Sequence, residues 1–410
     1  MNTILPIDVV ENDTGKFQDT LKQESFYLNA YLASKGKKVY GRKKRYFIYS
    51  RDGRLPSVTN TNQPITFIID RKGEIDFLTR LRLCTTLKFS VDDTATDATF
   101  LPGLPIFMIR KIELYNANNL VISYDAHEIY QEIYLHTDND YWSFTSKHYG
   151  LGDATSRTVE NEQQKTFYLN FDDIWGIFQK PFPIYKLHPN YPLEIRIYFN
   201  DQYFTAEPDK VTYTFEKCYM LATYTTPYTI QIALANRNKS VNYVDILPST
   251  VSITPLTTVK NQSHVLSYLY GKYVALLTFA YIKDSDYDAG KRTVFQKIDE
   301  FALTASGQHI DNNSNFKMTD EMFKQVVLYD SSISNKDLLV NDNLYFISYV
   351  NDIQEAFGDD QTSFDGFKAF SETQPQLDLE FSDNPPTSRI LVTAWEFANI
   401  VLSNGILYRK

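Results

Sequence analysis

Five stretches of the 410-residue chain recur in the same order further along it, and this ordered repetition constrains the fold more than any other feature. The stretch RLRLCTTLKF, ending at Phe89, resembles YVALLTFAY, ending at Tyr281, 192 residues later. IRKIELYNANNLVI from Ile109 resembles IDEFALTASGQHI from Ile298, at an offset of 189. FDDIWGIF from Phe171 resembles VNDIQEAF from Val350, at 179. LEIRIYF resembles QLDLEF, with Ile195, Ile197 and Phe199 falling on Leu377, Leu379 and Phe381, at 182. TFEKCYMLATY resembles AWEFANIVLS, with Phe215 and Glu216 on Trp395 and Glu396, at 180. Offsets that drift by loop-sized steps predict a tandem duplication, with copies over about 60–226 and 243–405.

The repeated units alternate with a period of two, the signature of half-buried antiparallel strands. Phe77, Thr79, Leu81, Leu83, Thr85, Leu87, Phe89 and Val91 share one face, against Asp76, Arg80, Arg82, Thr86, Lys88 and Ser90 on the other. Leu193 to Phe199 and Val211 to Glu216 repeat the pattern. Helical spacing is confined to 17–33, 126–136 and 318–329. Without strand–helix alternation, a doubly wound sheet or β/α barrel is excluded, and each copy of about 165 residues suits an eight-stranded, two-sheet sandwich. The runs DDTATD, DSDYD and FGDDQTSFDG mark long polar connections.

Charge is distributed unevenly. Lys35, Lys37, Lys38, Arg42, Lys43, Lys44, Arg45, Arg51 and Arg54 are opposed only by Asp52, so this segment carries +8 in a chain whose net charge is −9. Residues 1–60 are expected to form an N-terminal arm, an amphipathic stretch (Phe17, Leu21, Leu28, Leu32) followed by the basic segment, with units at 61–230 and 231–410. The start of the chain has no basic region followed by an apolar one, so no secretory signal is expected. The longest apolar stretch, Tyr273 to Ile282, is half of what a membrane-crossing helix needs. Two cysteines, Cys84 and Cys218, allow at most one disulfide and suit a reducing compartment.

Catalytic and metal signatures are missing: no HExxH, GxSxG, P-loop, GxGxxG or CxxC occurs, so neither cofactor nor metal is expected. His127 and His136 are nine residues apart and read as ordinary surface or capping histidines. Asp172 and Asp173 read as a cap or turn, because neighbours in a strand point to opposite faces. Glu216 and Glu396 recur at equivalent positions of two separate units, too far apart for a glycosidase pair.

Three passages resemble the double jelly-roll major capsid proteins, the family of tectivirus coats, adenovirus hexon and the capsids of large DNA viruses. IRKIELYNANNLVISYDAHEIYQEIY is similar to the family's strand–turn–strand–helix passage, PFPIYKLHPNYPLEIRIYF to a late strand pair of its first jelly roll, and SRILVTAWEFANIVLSNG to its closing strand. The resemblance implies an all-β chain of two tandem eight-stranded jelly-roll sandwiches with a few short helices and an N-terminal arm. It implies a non-enzymatic virion protein, assembled in the host cytoplasm, whose homotrimers form pseudo-hexameric tiles of an icosahedral shell. Its partners would be neighbouring capsomers, minor capsid proteins and an inner viral membrane. The basic segment is not general in the family. An anionic lipid surface, packaged nucleic acid or an acidic face of a neighbouring subunit would each suit it, with lipid favoured over nucleic acid. The alternative is a carbohydrate-binding or carbohydrate-active β-sandwich, which predicts an exposed aromatic platform or an acid pair in a cleft.

Overall fold

In the first half of the chain, eight antiparallel strands pair in nested order: first with last, second with seventh, third with sixth, fourth with fifth. The computed structural model describes residues 41–59, 61–73, 75–136, 148–179, 181–227, 240–253, 258–306, 308–310, 317–329, 343–350, 368–370 and 374–410. The strands are β1 (Gly41–Tyr49), β2 (Ile65–Ile69), β3 (Phe77–Val91), β4 (Ile109–Asn116), β5 (Asn119–Asp125), β6 (Gln164–Asn170), β7 (Leu193–Phe199) and β8 (Val211–Pro227). They form two four-stranded sheets, β1-β8-β3-β6 and β2-β7-β4-β5. This wrapping of a long antiparallel ribbon into two facing sheets is a jelly roll.

The second half repeats it with β9 (Val241–Ile253), β10 (Asn261–Val265), β11 (Tyr273–Lys283), β12 (Glu300–Ala305), β13 (Gln308–His309), β14 (Met318–Thr319), β15 (Tyr345–Ser348), β16 (Lys368–Ala369), β17 (Gln376–Glu380), β18 (Ser388–Ser403) and β19 (Ile406–Arg409). The nested pairs are now β9 with β18, β10 with β17, β11 with β15 and β12 with β13. Strands β14, β16 and β19 are additions at the edges. Four of the five sequence matches fall on strands equivalent in this scheme: β3 on β11, β4–β5 on β12–β13, β7 on β17, and β8 on β18. Ile195 and Leu377 occupy equivalent strands. The fifth match falls mostly outside the described residues, because 351–357 is not among them.

The start of the first unit corrects the sequence reading. A copy beginning near residue 60 leaves β9 without a counterpart; the counterpart is β1, inside the basic segment. Strand β1 pairs along its whole length with β8, from Gly41 opposite Pro227 to Tyr49 opposite Tyr219. Residues 41–49 are therefore part of the first jelly roll and not of a free arm. The alternation is present, since Tyr46 and Ile48 pack on the core while Phe47 and Tyr49 point out, but four consecutive cations obscure it. Lys35, Lys37, Lys38 and the amphipathic stretch 17–33 lie outside the described residues.

Alternation is cleanest in β7, where Leu193, Ile195, Ile197 and Phe199 are buried and the residues between them half-buried. In β3 it slips at two register shifts, Leu78/Arg80 and Thr86/Leu87. The expected helix over 126–136 is α1 (Ala126–His136). Its start is a reciprocal cap: Asp125 Oδ1 accepts from the Glu128 N–H at 2.9 Å, and Glu128 Oε2 accepts from the Asp125 N–H at 2.7 Å. The helix expected at 318–329 is α2 (Asp320–Tyr329), its first two residues belonging instead to β14. DSDYD, read as part of a long polar connection, is a short helical turn at Asp284–Asp288.

Candidate functional site

Helix α1 places one jelly roll on the other. It follows β5 and is buried on all sides, with Ile129, Tyr130, Ile133 and Tyr134 in the core and even Gln131 fully enclosed. Its polar side chains reach the second unit: Glu128 Oε1 accepts from the Thr250 N–H at 3.0 Å, and Gln131 Oε1 from the Thr278 hydroxyl at 2.9 Å. Further contacts extend the seam. The Leu407 N–H donates to Asn116 Oδ1 at 2.7 Å, the His188 N–H to the Gly405 carbonyl at 2.8 Å, and Phe182 stacks on Tyr243 at 6.0 Å. His127 is not the surface or capping histidine expected. It is buried between Phe107 and Tyr287, and burial lowers its pKa to about 3, so it stays neutral.

This seam covers one particular face. Thr250, Thr393 and Thr278 lie side by side across β9, β18 and β11 on the side turned away from the interior of their own sandwich. Thr278, Thr393 and Trp395 are nonetheless completely buried, because the first jelly roll lies over them. Trp395 donates its indole N–H to the Thr278 hydroxyl at 3.1 Å.

The equivalent face of the first unit, on β1-β8-β3-β6, has no such cover among the described residues. Its rows read Tyr49, Tyr219, Cys84, Tyr168, then Phe47, Leu221, Arg82, Asn170, then Arg45, Thr223, Arg80. Phe47 and Tyr49 are 61% and 68% exposed, high for rings on a regular strand. They lean on Tyr219 at 5.5 and 6.1 Å with interplanar angles of 63° and 50°, so they do not make the flat platform a sugar would stack on. Arg42, Lys43 and Arg45 are exposed and Lys44 half-buried. Arg51 and Arg54 sit in the turn after β1, where Arg54 pairs with Asp52. The basic segment thus supplies an aromatic and cationic edge strand, which sequence reasoning missed. The Tyr46–Tyr49 alternation was the available signal.

The outer face of the second unit's other sheet is acidic. Glu300 on β12, and Asp378 and Glu380 on β17, alternate with the buried Phe301, Leu303, Leu377 and Leu379. Asp378 accepts from the Thr304 hydroxyl at 3.0 Å, and Glu380 from Lys317 Nζ at 2.9 Å. Val265 at the adjacent edge is 57% exposed.

The other candidates resolve into structure. Asp173 Oδ2 accepts from the Tyr149 hydroxyl at 2.6 Å and from Asn170 Nδ2 at 2.9 Å, within a 3-10 turn over Phe171–Asp173. Glu396 is tied to Lys272, while Glu216, on the equivalent strand, is exposed. Cys84 and Cys218 are both buried free thiols, and burial raises Cys84 to about 11. Among the described residues, no group of three His, Cys, Asp or Glu could hold a metal, and no helix is long and apolar enough to cross a membrane.

No family model and no curated protein matches the sequence. Solved structures do. The PBCV-1 VP54 structure fitted into a reconstruction of the virophage Sputnik superposes with a TM-score of 0.67 at 11% identity, over 91% of this chain and 97% of that one. The Faustovirus major capsid protein gives 0.59 at 8% identity, over 94% and 98%. The mavirus major capsid protein gives 0.50 at 9% identity, over 91% and 92%. The chain has the double jelly-roll fold of these viral major capsid proteins.

Proposed function

We propose that the chain is a structural virion protein, a major capsid protein that acts by contact with copies of itself. One observation carries this reading. On the face of the second jelly roll made by β9, β18 and β11, Thr278, Thr393 and Trp395 are buried under the first jelly roll, while on the equivalent face of the first, Phe47, Tyr49, Arg45 and Arg80 are exposed among the described residues. The acidic residues of the second unit's sheet face, Glu300, Asp378 and Glu380, are half-buried. A second copy using the seam's geometry would set the cationic face of one chain on the acidic face of the next. Such head-to-tail contacts close into a ring when the rotation permits.

Three chains of 47.6 kDa would present six similar jelly rolls in a near-hexagonal outline, with a mass of about 143 kDa. Tiles of that outline would pack against neighbouring capsomers and minor capsid proteins. Lys43 and Arg45 serve the subunit contact in this reading, and Lys35, Lys37 and Lys38 are left for an inner membrane.

Light scattering on the purified protein tests it. A trimer mass is expected, and a stable monomer at micromolar concentration would count strongly against the proposal. Arg45→Glu with Arg80→Glu should lower the trimer fraction, and adding Asp378→Lys with Glu380→Lys should restore part of it. Restoration is a readout that general damage to the fold would not produce.

A further inference from the structure

The seam between the jelly rolls contains acids that are not paired with cations. Glu132 of α1 is 2% exposed and Glu128 6%. Among the described residues neither forms an ion pair, and Glu132 Oε2 has no hydrogen-bond partner. An ionised carboxylate with a buried, unsatisfied oxygen is costly, whereas the neutral acid is tolerated.

The surroundings make ionisation harder still. From β9 of the second unit comes Asp245, and from the 3-10 turn Asp173, both raising Glu132. Burial is the larger cause, and it outweighs the hydrogen bond from the Tyr124 hydroxyl of β5, which acts in the opposite direction. Asp125 precedes the helix and opposes ionisation of Glu128. Asp172, beside Asp173, is itself raised to about 6 by burial. Among the described residues, the cations lining the adjoining cleft are engaged with other acids: Lys111 with Glu113, Lys272 with Glu396, and Arg409 also toward Glu396. His127 faces Arg292 and Arg389 on the other flank and is neutral. An open cleft of about 520 Å³, lined by Asp125, Glu128, Thr250, Lys272, Glu396 and Arg409, gives solvent a route to the edge of this cluster.

We propose that the seam is a proton-dependent joint, held closed by the neutral acid form of Glu132 and loosened between the two jelly rolls when it ionises. Charging Glu132 places an anion with an unsatisfied oxygen beside Asp245 across the seam. The device belongs to the single chain and does not depend on the capsid reading.

The direction of the pH effect follows from linkage. Burial raises Glu128 to about 8 and holds Glu132 well above its ordinary value, so the folded state binds these protons more tightly than the unfolded state. Their contribution to stability is fully present below the unfolded value of about 4.3 and is lost as pH rises toward the folded one. Ionisation of Glu132 within the fold, and with it the loosening, lies well above the ordinary carboxylate range.

Thermal melting between about pH 5 and about pH 9, with hydrogen–deuterium exchange read peptide by peptide, tests the proposal. The wild type should lose melting temperature as pH rises. Near the alkaline end, peptides covering α1 and β9 should lose protection before those covering β3 and β8 in the same sample, which control for the chemical pH dependence of exchange. Glu132→Gln, and separately Asp245→Asn, should flatten both responses. Seam peptides that stay as protected as β3 and β8 at alkaline pH would overturn the proposal from the wild type alone. So would a Glu132→Gln protein that folds and keeps the wild-type pH dependence.

Discussion

At the scale of single residues, the seam is held at a few points of close contact. Gly405 lies in the β18–β19 hairpin at φ 80°, and a Cβ there would meet the His188 backbone nitrogen at 2.8 Å. Gly271 has a similar φ of 79° with nothing nearby, so it isolates the conformational cost. Gly271→Ala should cost about 1 kcal/mol, and Gly405→Ala about 1–3 kcal/mol more because backbone must move. Urea denaturation of the two variants checks this, and equal losses would show that the His188 contact does not matter. Tyr287 is the other tight point, with the Arg292 and Arg389 guanidiniums 3.2 and 3.7 Å from its ring centre and His127 stacked nearby. Asp284 balances Arg389 at 2.9 Å. Tyr287→Leu keeps much of the volume but removes the ring's negative faces, and a loss of about 1–3 kcal/mol is expected in the same assay.

At the scale of elements, β1 and α1 have roles that their sequences understate. Strand β1 supplies backbone partners to β8 along nine residues, so a chain lacking residues 1–54 would expose that edge. A chain lacking only 1–40 should fold and melt like the full-length protein, whereas removal of 1–54 should give aggregated or unfolded material. This also sets the proper truncation for liposome flotation. If Lys35, Lys37 and Lys38 bind anionic lipid, loss of 1–40 should abolish flotation with anionic vesicles. Undiminished flotation would remove those lysines from any membrane role. Within α1, Ile133 is completely buried, and Ile133→Ala should cost about 2–5 kcal/mol, measured by urea denaturation.

At the scale of the whole molecule, the two jelly rolls share a continuous buried cluster, in which Tyr130 of α1 packs on Phe295 of the second unit at 6.3 Å. They should therefore unfold together in calorimetry near neutral pH, and two resolved transitions would contradict a shared core. The duplication, the strands β3, β4, β7, β8 and their counterparts, and the position of α1 were legible in the sequence. A strand with one buried face must alternate with period two, and β7 and β17 do so at matching places. The true start of the first unit was not legible, because in GRKKRYFIY the pairing with β8 is a backbone property that charged side chains neither reveal nor prevent. His127 was misread for a related reason: periodicity places it on a helix, but only the packing of Phe107 and Tyr287 around that helix decides that it is buried. The sequence by itself determined that there are two similar β-sandwiches and which residues of regular strands such as β7 and β17 line their interiors, since those follow from local alternation. Which outer faces meet was decided only by the tertiary structure, because Thr278, Thr393 and Trp395 point away from the interior of their own sandwich and are buried only through what the distant first unit lays over them.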